Sequence, residues 1–160
     1  MKIFDCTTFY NEKLMMDVRF NILNEYIKKF IVVESLFSHS GEKKELNFDI
    51  NDYPKFKDKI IYIVIENEPA GLFNKEDIVN IPSKKRFNSI KRIEQSYEYM
   101  MHGLKDALNE DLIMLSDNDE IPNLSSINLS KLNNNYIIFE QLFFYYKFNL
   151  FYDRMKWHGT

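Results

Sequence analysis

Four short apolar runs constrain the fold of this chain more than any other feature. They lie at residues 2–6, 30–35, 59–65 and 111–116, and the run at 30–35 is rich in β-branched residues. Strands that stay apolar on both faces are typical of parallel sheets covered by helices on each side. The pattern therefore predicts an α/β three-layer sandwich with a mostly parallel sheet.

Two longer segments between these runs repeat apolar residues at the period of an amphipathic helix. The first covers residues 11–29, with Asn11 as its predicted N-cap. Its predicted buried face is formed by Leu14, Met15, Val18, Ile22, Leu23 and Tyr26. The second covers residues 84–109, and its predicted buried face is formed by Phe87, Ile90, Ile93, Tyr97, Met100, Leu104 and Leu108.

The remaining stretches complete a single predicted domain over residues 1–160. Residues 133–151 are predicted to form a long, bent fifth strand whose aromatic residues mostly belong to the core. Residues 66–83 contain two prolines and a glycine and are predicted to be irregular. No internal repeat or low-complexity linker interrupts the chain, so the pattern indicates one domain.

Charge and cysteine content narrow the classes of function. The net charge of −3 argues against a nucleic-acid partner, which usually requires a basic face. Cys6 is the only cysteine, which excludes an internal disulfide framework and fits a reducing compartment. No apolar run approaches the roughly 20 residues that a transmembrane helix needs, and the first residues lack a signal-peptide pattern. A cytoplasmic protein without a transmembrane segment is therefore expected.

Three polar clusters come after the predicted strands, at residues 7–12, 34–41 and 117–120. In an open α/β sheet, ligands bind beyond the carboxyl ends of the strands. Asp117 and Asp119 offer hard carboxylate oxygens, which suit Mg²⁺ or Mn²⁺ with phosphate oxygens completing the coordination. The alternative is an ordinary turn after a strand, where Asp and Asn are common. Glu120 is expected to hydrogen-bond backbone near the stiff turn at Pro122.

The motif "SDNDEIP" resembles the signature of glycosyltransferase family 17, the β-1,4-mannosyl-glycoprotein β-1,4-N-acetylglucosaminyltransferase type. Other segments resemble that family in the same order along the chain. They are "MKIFDCTTFYNE" at the start, "IVVESLFSHSGEKKELNF" from residue 31, "HGLKDALNEDLIMLSDNDEIP" from residue 102 and "FFYYKFNLFYDRMKWHGT" from residue 143. The resemblance implies a GT-A-like, Rossmann-like fold, a UDP-N-acetylglucosamine donor, Mn²⁺ or Mg²⁺, and inversion at the anomeric carbon.

The resemblance also implies roles for individual residues. The metal role carries over to Asp117 and Asp119, and Asp117 also borders the expected donor site. Glu12 and Glu34 match acidic positions near the donor pocket. The loop that contains Thr7 and Glu12 is expected to touch the nucleotide.

Two departures from the family pattern affect the expected activity. The family carries a Gln-Arg pair in the helix before the acidic motif, where this chain has Ser96 and Tyr97, with Arg92 and Gln95 nearby. The family domain normally continues beyond Trp-x-Gly-Thr, where this sequence stops. The chain is therefore expected to be a C-terminally truncated, donor-binding portion that transfers sugar poorly.

Glu140 is the candidate general base, because it sits in an otherwise apolar run. A buried carboxylate without a partner would have a raised pKa, whereas a structural partner is an equally good explanation. Trp157 is either a sugar-stacking platform or a core residue. His39 is either a solvated loop residue or a contact to the donor phosphates.

The main hypothesis is an inverting, metal-dependent glycosyltransferase that passes a sugar from a UDP-sugar to a glycan, polysaccharide or lipid-linked acceptor. One alternative is a non-catalytic nucleotide-sugar or carbohydrate-binding remnant of that fold. A second alternative is a metal-dependent phosphotransferase or nuclease, which the basic stretch "PSKKRFNSIKR" keeps open.

Overall fold

The computed structural model describes residues 1–128, 131, 136–145 and 149–159, apart from the side chain of Lys75. Four parallel strands form its main sheet: β1 (Ile3–Thr8), β2 (Ile27–Ser35), β3 (Ile60–Ile65) and β4 (Leu112–Leu115). Their order across the sheet is β3-β2-β1-β4. All four predicted apolar runs are therefore confirmed as strands, and the parallel α/β sheet is confirmed with them.

Helices cover the two faces of this sheet. They are α1 (Lys13–Leu23) and α3 (Pro82–Met100), and the short α2 (Lys75–Ile78) lies against α3. Short 3-10 turns lie at Ile50–Asp52, Lys57–Lys59, Met101–Gly103 and Leu124–Ser126. Side chains of α1 and of residues 48–56 pack on one face, while the end of α3 and residues 99–107 pack on the other. The result is the three-layer arrangement that the sequence predicts.

Alternation along β1 and β2 sends side chains into two separate cores. Phe4 and Cys6 of β1 join Ile31 and Val33 of β2 beneath α3. The intervening residues of both strands point toward α1, where the aromatic rings of Phe20, Phe30, Phe48, Tyr53 and Phe56 interlock. The buried thiol of Cys6 has its pKa raised to about 12 by burial, so this cysteine behaves as a small apolar residue.

The predicted buried face of the first helix is confirmed at Leu23 and is wrong at Leu14 and Ile22. Leu14 and Ile22 are 76% and 50% exposed, whereas the fully buried positions are Met16, Arg19, Phe20 and Leu23. These four positions also match the helical spacing. The apolar pattern misses this face because one of its members is a charged arginine. The helix also begins one residue later than predicted, with Glu12 rather than Asn11 at the N-cap position.

The second helix is shorter than predicted and ends at Met100 rather than residue 109. Gly103 lies so close to Ile31 that a Cβ at this position would come within 2.6 Å of that side chain. Phe87 and Ile90 of the predicted buried face are about two-fifths exposed. Asn88 is buried instead, because its side chain bonds both backbone groups of Phe73.

The predicted fifth strand is shorter than expected, because it ends at Phe144, and a sixth strand begins at Phe151. Strands β5 (Phe139–Phe144) and β6 (Phe151–Gly159) pair antiparallel in a separate two-stranded sheet. The chain reverses between them, and the amide of Tyr145 donates to the carbonyl of Leu150 at 2.9 Å. The prediction that its aromatic residues are mostly core is also wrong, because Tyr145 and Phe151 are about half exposed. The part of this prediction that concerns residues 133–135 and 146–148 lies outside the described residues.

Within the described ranges, no helix combines the length and apolar character required to cross a bilayer.

Candidate functional site

The order of connections places a crevice between β1 and β4. The chain leaves β1 through α1 to reach β2 on one side, and it arrives at β4 on the other side through α3. Ligands bind at such switch points in open α/β sheets, beyond the carboxyl ends of the strands. A cavity of about 620 Å³ lies there, between the ends of β1, β2 and β4.

Three kinds of side chain line this cavity. Its apolar wall includes Phe9, Met15, Val33 and Phe37, its carboxylates are Glu12, Asp117 and Asp119, and its basic residues are His39, Lys44 and Arg92. Ligand sites commonly combine an apolar wall with a few convergent polar groups. The cavity therefore brings together three of the sequence-predicted site residues, and it leaves out Thr7, Glu34 and Glu140.

The segment of residues 116–120, here called the acidic loop, alternates between buried and exposed positions. Ser116 and Asn118 are buried, whereas Asp117 and Asp119 are exposed and face the cavity. The amide of Asn118 donates to Glu12 at 2.9 Å, which ties the acidic loop to the loop after β1. Within the described residues, the carboxylates of Asp117 and Asp119 make no hydrogen bond or ion pair. Two anionic groups are thus left available to a ligand.

Negative charge is concentrated at the acidic loop. Partial desolvation of its carboxyl group raises the pKa of Asp117, and the negative charges of Glu120 and Asp119 raise it further. The pKa of Tyr97 is also raised, by burial and by the charges of Asp117 and Glu120. A carboxylate whose pKa rises because of like charges is one that a cation would stabilise.

The side chains at the acidic loop could supply only some of the ligands that a hard divalent cation requires. Asp117 and Asp119 supply carboxylate oxygens, the ligand type that Mg²⁺ and Mn²⁺ prefer. Across the described part of the chain, no group of three or more His, Cys, Asp or Glu side chains is arranged to hold a metal. Such a cation would therefore take most of its ligands from phosphate oxygens and water, as Mg²⁺ commonly does in nucleotide sites.

Glu12 lies at the cavity as the sequence predicts, but its carboxylate already has several donors. Oε2 accepts hydrogen bonds from the amides of Tyr10 and Asn11, both at 3.0 Å, and from Asn118. Burial opposes ionisation here, yet these hydrogen bonds outweigh it and lower the pKa of Glu12. Its clearest role is to hold the loop after β1 against the acidic loop.

Glu34 does not line the cavity. The side chain is fully buried, and its carboxylate accepts from Lys44, from the amides of Asn47 at 2.9 Å and Phe48 at 3.0 Å, and from the Tyr62 hydroxyl at 2.8 Å. These four donors satisfy both oxygens. Glu34 anchors residues 44–48 over the core, and its expected place near the nucleotide-sugar stays a prediction.

Thr7 is also displaced from its expected place. Its side chain is 1% exposed, and its hydroxyl is directed to the carbonyl of Thr8 at 3.4 Å. Because successive residues of a strand point to opposite faces, Thr8 rather than Thr7 reaches the cavity. The sequence could have distinguished them only if the orientation of β1 had been known.

Glu140 lacks the burial on which its candidacy rests. Its side chain is 54% exposed and pairs with Lys156 on the neighbouring strand, while His158 Nε2 lies at 3.7 Å. The hydrogen bond and charge of Lys156 lower its pKa, which is opposite to the expected rise. The apolar neighbours of Glu140 in the sequence suggested burial, but a strand of a two-stranded hairpin can have one face in solvent.

The basic side of the cavity is largely neutralised by internal pairs. Arg92 bonds both oxygens of Glu68 at 3.0 Å and also donates to the carbonyl of His39 at 3.2 Å. Lys44 pairs with Glu34 and lies over the ring of Tyr10. Arg92 reaches the cavity from α3, one helical turn before Ser96, which also lines it. A cationic residue is thus present near the place of the missing Gln-Arg pair.

The hairpin touches the acidic loop through Glu120. The indole nitrogen of Trp157 donates to Glu120 Oε1, and Oε2 accepts from the amide of Asp117 at 3.2 Å. Glu120 therefore bonds backbone as expected, although in its own loop and not in the segment after it. Trp157 is 41% exposed, so it is not a core residue.

Sequence reasoning missed Arg19, which lies directly beneath the acidic loop. Its guanidinium is fully buried and donates to three carbonyl groups of that loop. The available signal was the helical spacing of Met16, Arg19, Phe20 and Leu23, which places an arginine on a buried face. A buried arginine requires partners, and two of its contacts are to Asp5.

Comparison with known proteins gives one match. The sequence model of glycosyltransferase family 17 matches residues 1–160. No curated protein and no solved structure matches the chain significantly.

Proposed function

The chain belongs to glycosyltransferase family 17, and from this membership and the cavity at Asp117 we propose that it transfers a sugar from a UDP-sugar to a hydroxyl of a glycan acceptor. The proposed donor sugar is N-acetylglucosamine, in keeping with the family resemblance. The observation that carries the proposal is the pair of carboxylates of Asp117 and Asp119, which have no partner among the described residues and face a cavity at the switch point of a parallel sheet. We also propose that the sheet and its helices adopt a GT-A-like fold.

The shape and lining of the cavity support a nucleotide diphosphate as its occupant. The apolar wall around Phe9, Met15 and Phe37 suits a planar base and a ribose. Asp117 and Asp119 lie on the same cavity as His39 and Arg92, so both signs of charge border one volume. We place the diphosphate between them, with the base against the apolar wall.

Asp117 and Asp119 are the residues that would hold Mn²⁺ or Mg²⁺. Such an ion would neutralise the diphosphate of the leaving nucleotide as negative charge develops on it. The protein contributes orientation, because Asn118 and Glu12 fix the acidic loop against the loop after β1. Transfer reactions of this kind gain most of their rate from positioning and charge stabilisation.

In the proposed reaction, the acceptor hydroxyl loses its proton to a base. Its oxygen then forms a bond to the anomeric carbon, while the bond from that carbon to the phosphate oxygen breaks. The electron pair leaves with UDP, and the configuration at the carbon inverts. Glu140 is the base that the sequence proposes, although its lowered pKa makes it a weaker base than expected.

The hairpin is the proposed acceptor surface. The rings of Phe143 and Trp157 stack at 6.0 Å with an interplanar angle of 18°. Trp157 is 41% exposed, and its indole contacts Glu120 in the acidic loop. An exposed indole backed by a partly buried ring, beside the proposed donor site, suits the apolar face of a sugar ring.

The alternatives in other classes have less support. A two-metal phosphotransferase or nuclease would require further carboxylates around the pair, and the described residues contain no such group. A non-catalytic remnant would share the cavity and differ only in turnover. Family membership supports the transferase over the phosphotransferase or nuclease, and turnover separates it from the remnant.

Binding of UDP tests the donor site. Calorimetry with UDP and Mn²⁺ should show binding that disappears with EDTA, and Asp119→Ala should weaken it strongly. The matched control is Asp106→Ala, an exposed carboxylate outside the acidic loop. Equal binding by the parent and by Asp119→Ala would mean that the acidic loop is only a turn.

Turnover tests the class of activity. The protein is mixed with UDP-N-acetylglucosamine, Mn²⁺ and a panel of oligosaccharide acceptors, and UDP release is compared with product mass. A mass increase of one N-acetylglucosamine on an acceptor supports the proposal, and its dependence on Glu140 is read from Glu140→Gln. Tight UDP binding without any product would favour the non-catalytic alternative.

A further inference from the structure

Arg19 is buried in a place where stability alone does not explain a charged residue. Both Arg19 and its partner Asp5 are completely inaccessible to solvent, and two parallel bonds of 2.8 and 2.6 Å join them. Buried ion pairs are commonly no more stabilising than apolar residues of the same volume. The reason for an arginine on the inner face of α1 has to be sought in its other contacts.

Those other contacts all go to the acidic loop. Nη1 donates to the carbonyls of Asp117 at 2.9 Å, Asn118 at 3.3 Å and Glu120 at 3.0 Å, while Nη2 donates to the Ser116 hydroxyl at 2.6 Å. Every nitrogen of the guanidinium is therefore engaged. One edge of the planar guanidinium binds Asp5 of strand β1. Residues 116–120 curve around its other edge.

This closure determines where the carboxylates of the loop point. The carbonyls of the loop turn inward to Arg19, and Asp117 and Asp119 lie exposed on the opposite side, facing the cavity. Within the described residues, neither carboxylate has a contact of its own that could fix its direction. The backbone beneath them is thus the main determinant of their separation.

We propose that Arg19 is the positioning residue of the acidic loop, holding Asp117 and Asp119 in the spacing that a divalent cation requires. The inference rests on the proposed function, because it assigns Arg19 to the same pair of carboxylates. Lysine could preserve the positive charge but could not bind Asp5, Ser116 and three carbonyls at once.

The test compares Arg19→Lys with Glu34→Gln, which disturbs an equally buried carboxylate whose partners lie outside the acidic loop. Mn²⁺ alone is the probe, and its binding is measured by paramagnetic broadening of the amide resonances of residues 117–120. Arg19→Lys should bind Mn²⁺ about 10- to 100-fold more weakly, as for the loss of a group that orients a metal ligand. Glu34→Gln should stay within about twofold of the parent, because the two sites share no partner.

Hydrogen exchange supplies a readout that does not depend on the metal. Amides of residues 117–120 should exchange faster in Arg19→Lys than in Glu34→Gln at matched global stability. If both variants lose Mn²⁺ affinity in proportion to their loss of thermal stability, Arg19 is only structural and the inference fails. Absence of Mn²⁺ binding in the parent, with or without UDP, overturns the proposed function and removes the basis of this inference.

Ser116→Ala keeps the test decisive if Arg19→Lys does not fold. This variant removes one contact of Arg19 to the loop and leaves the pair with Asp5 intact. It should weaken Mn²⁺ binding about two- to tenfold, the usual effect of one hydrogen bond. Unchanged Mn²⁺ binding and unchanged exchange at residues 117–120 in Ser116→Ala would contradict the proposal.

Discussion

The guanidinium of Arg19 and the carboxylate of Asp5 form a two-bond ion pair that is completely shielded from solvent, with distances of 2.8 and 2.6 Å. The pair joins helix α1 to strand β1 at the centre of the sheet. Removing one partner of a buried pair leaves the other charge without compensation. The two residues are therefore expected to depend on each other for stability.

Asp5→Asn should lower the free energy of unfolding by about 3–5 kcal/mol, because it leaves the buried charge of Arg19 without its anion. Urea denaturation monitored by circular dichroism measures the change. The matched control is Asp17→Asn, an exposed carboxylate on helix α1, which should change stability by less than about 0.5 kcal/mol. A similar effect of both substitutions would show that the pair is not specially important.

Glu34→Gln should destabilise the protein by about 2–3 kcal/mol. The NH₂ group of glutamine would replace one carboxylate oxygen, and it cannot accept the hydrogen bonds that this oxygen receives. Glu45→Gln, an exposed change in the segment that Glu34 anchors, is the control. Both free energies come from equilibrium unfolding. If Glu34→Gln weakens UDP binding by more than its loss of stability explains, Glu34 contributes to the nucleotide-sugar site after all.

Asp117→Asn should stabilise the metal-free protein at neutral pH, by less than about 1 kcal/mol because solvent screens an exposed charge. Folding raises the pKa of Asp117 above its ordinary value of 3.8, so the folded state holds the proton more tightly than the unfolded state. Stability of the parent therefore falls as pH rises from that value through the raised pKa. The asparagine variant lacks this loss.

Thermal unfolding in EDTA checks the prediction for Asp117. The difference in Tm between variant and parent should grow from about pH 4 to pH 7, the range above the ordinary carboxyl pKa. Asp106→Asn, an exposed change outside the acidic loop, should show no comparable trend. A difference that shrinks as pH rises has the wrong sign and would contradict the argument.

Trp157 should report on the acidic loop, because it is the only tryptophan and its indole donates to Glu120. Glu120→Ala removes this acceptor and should shift the emission to longer wavelength as the indole becomes more exposed. Glu140→Gln is the control within the same hairpin, because its pair with Lys156 is in solvent. If the emission is identical in the parent and Glu120→Ala, the hairpin does not rest on the loop.

Phe20→Ala should destabilise the fold by about 3–5 kcal/mol, the usual cost of emptying an aromatic position in a core. Phe20 is completely buried and packs against Phe30, Tyr53 and Phe56. Leu14→Ala is the control, because Leu14 is 76% exposed and should cost less than about 1 kcal/mol. The two substitutions together test which face of α1 is buried, and a larger loss for Leu14→Ala would reverse it.

The sequence alone determined the four parallel strands, because each apolar run is of strand length and is bounded by polar residues. It also placed Asp117 and Asp119 at the end of β4, since the order of residues along the chain decides which side chains come directly after a strand. The motif "SDNDEIP", which resembles the family signature, contains these two residues. Such properties depend on neighbours along the chain, so local patterns are enough to reveal them.

Only the tertiary structure decided which side chains share the site. Thr7 and Thr8 differ by one position, yet the orientation of β1 sends only Thr8 to the cavity. The family motif places Glu34 near the nucleotide-sugar. In the fold, hydrogen-bond donors from residues 44–48 and from Tyr62 surround its carboxylate. Partners brought together across the fold determine these outcomes, and the chain order does not specify them.

The same reason explains the errors in the elements. Residues 133–151 are apolar enough for one strand, but pairing of β5 with β6 makes a hairpin with a face in solvent. On α1, apolar periodicity favoured the wrong face because the buried face carries Arg19. That arginine is compatible with burial only because Asp5 and the carbonyls of the acidic loop converge on it from elsewhere in the chain.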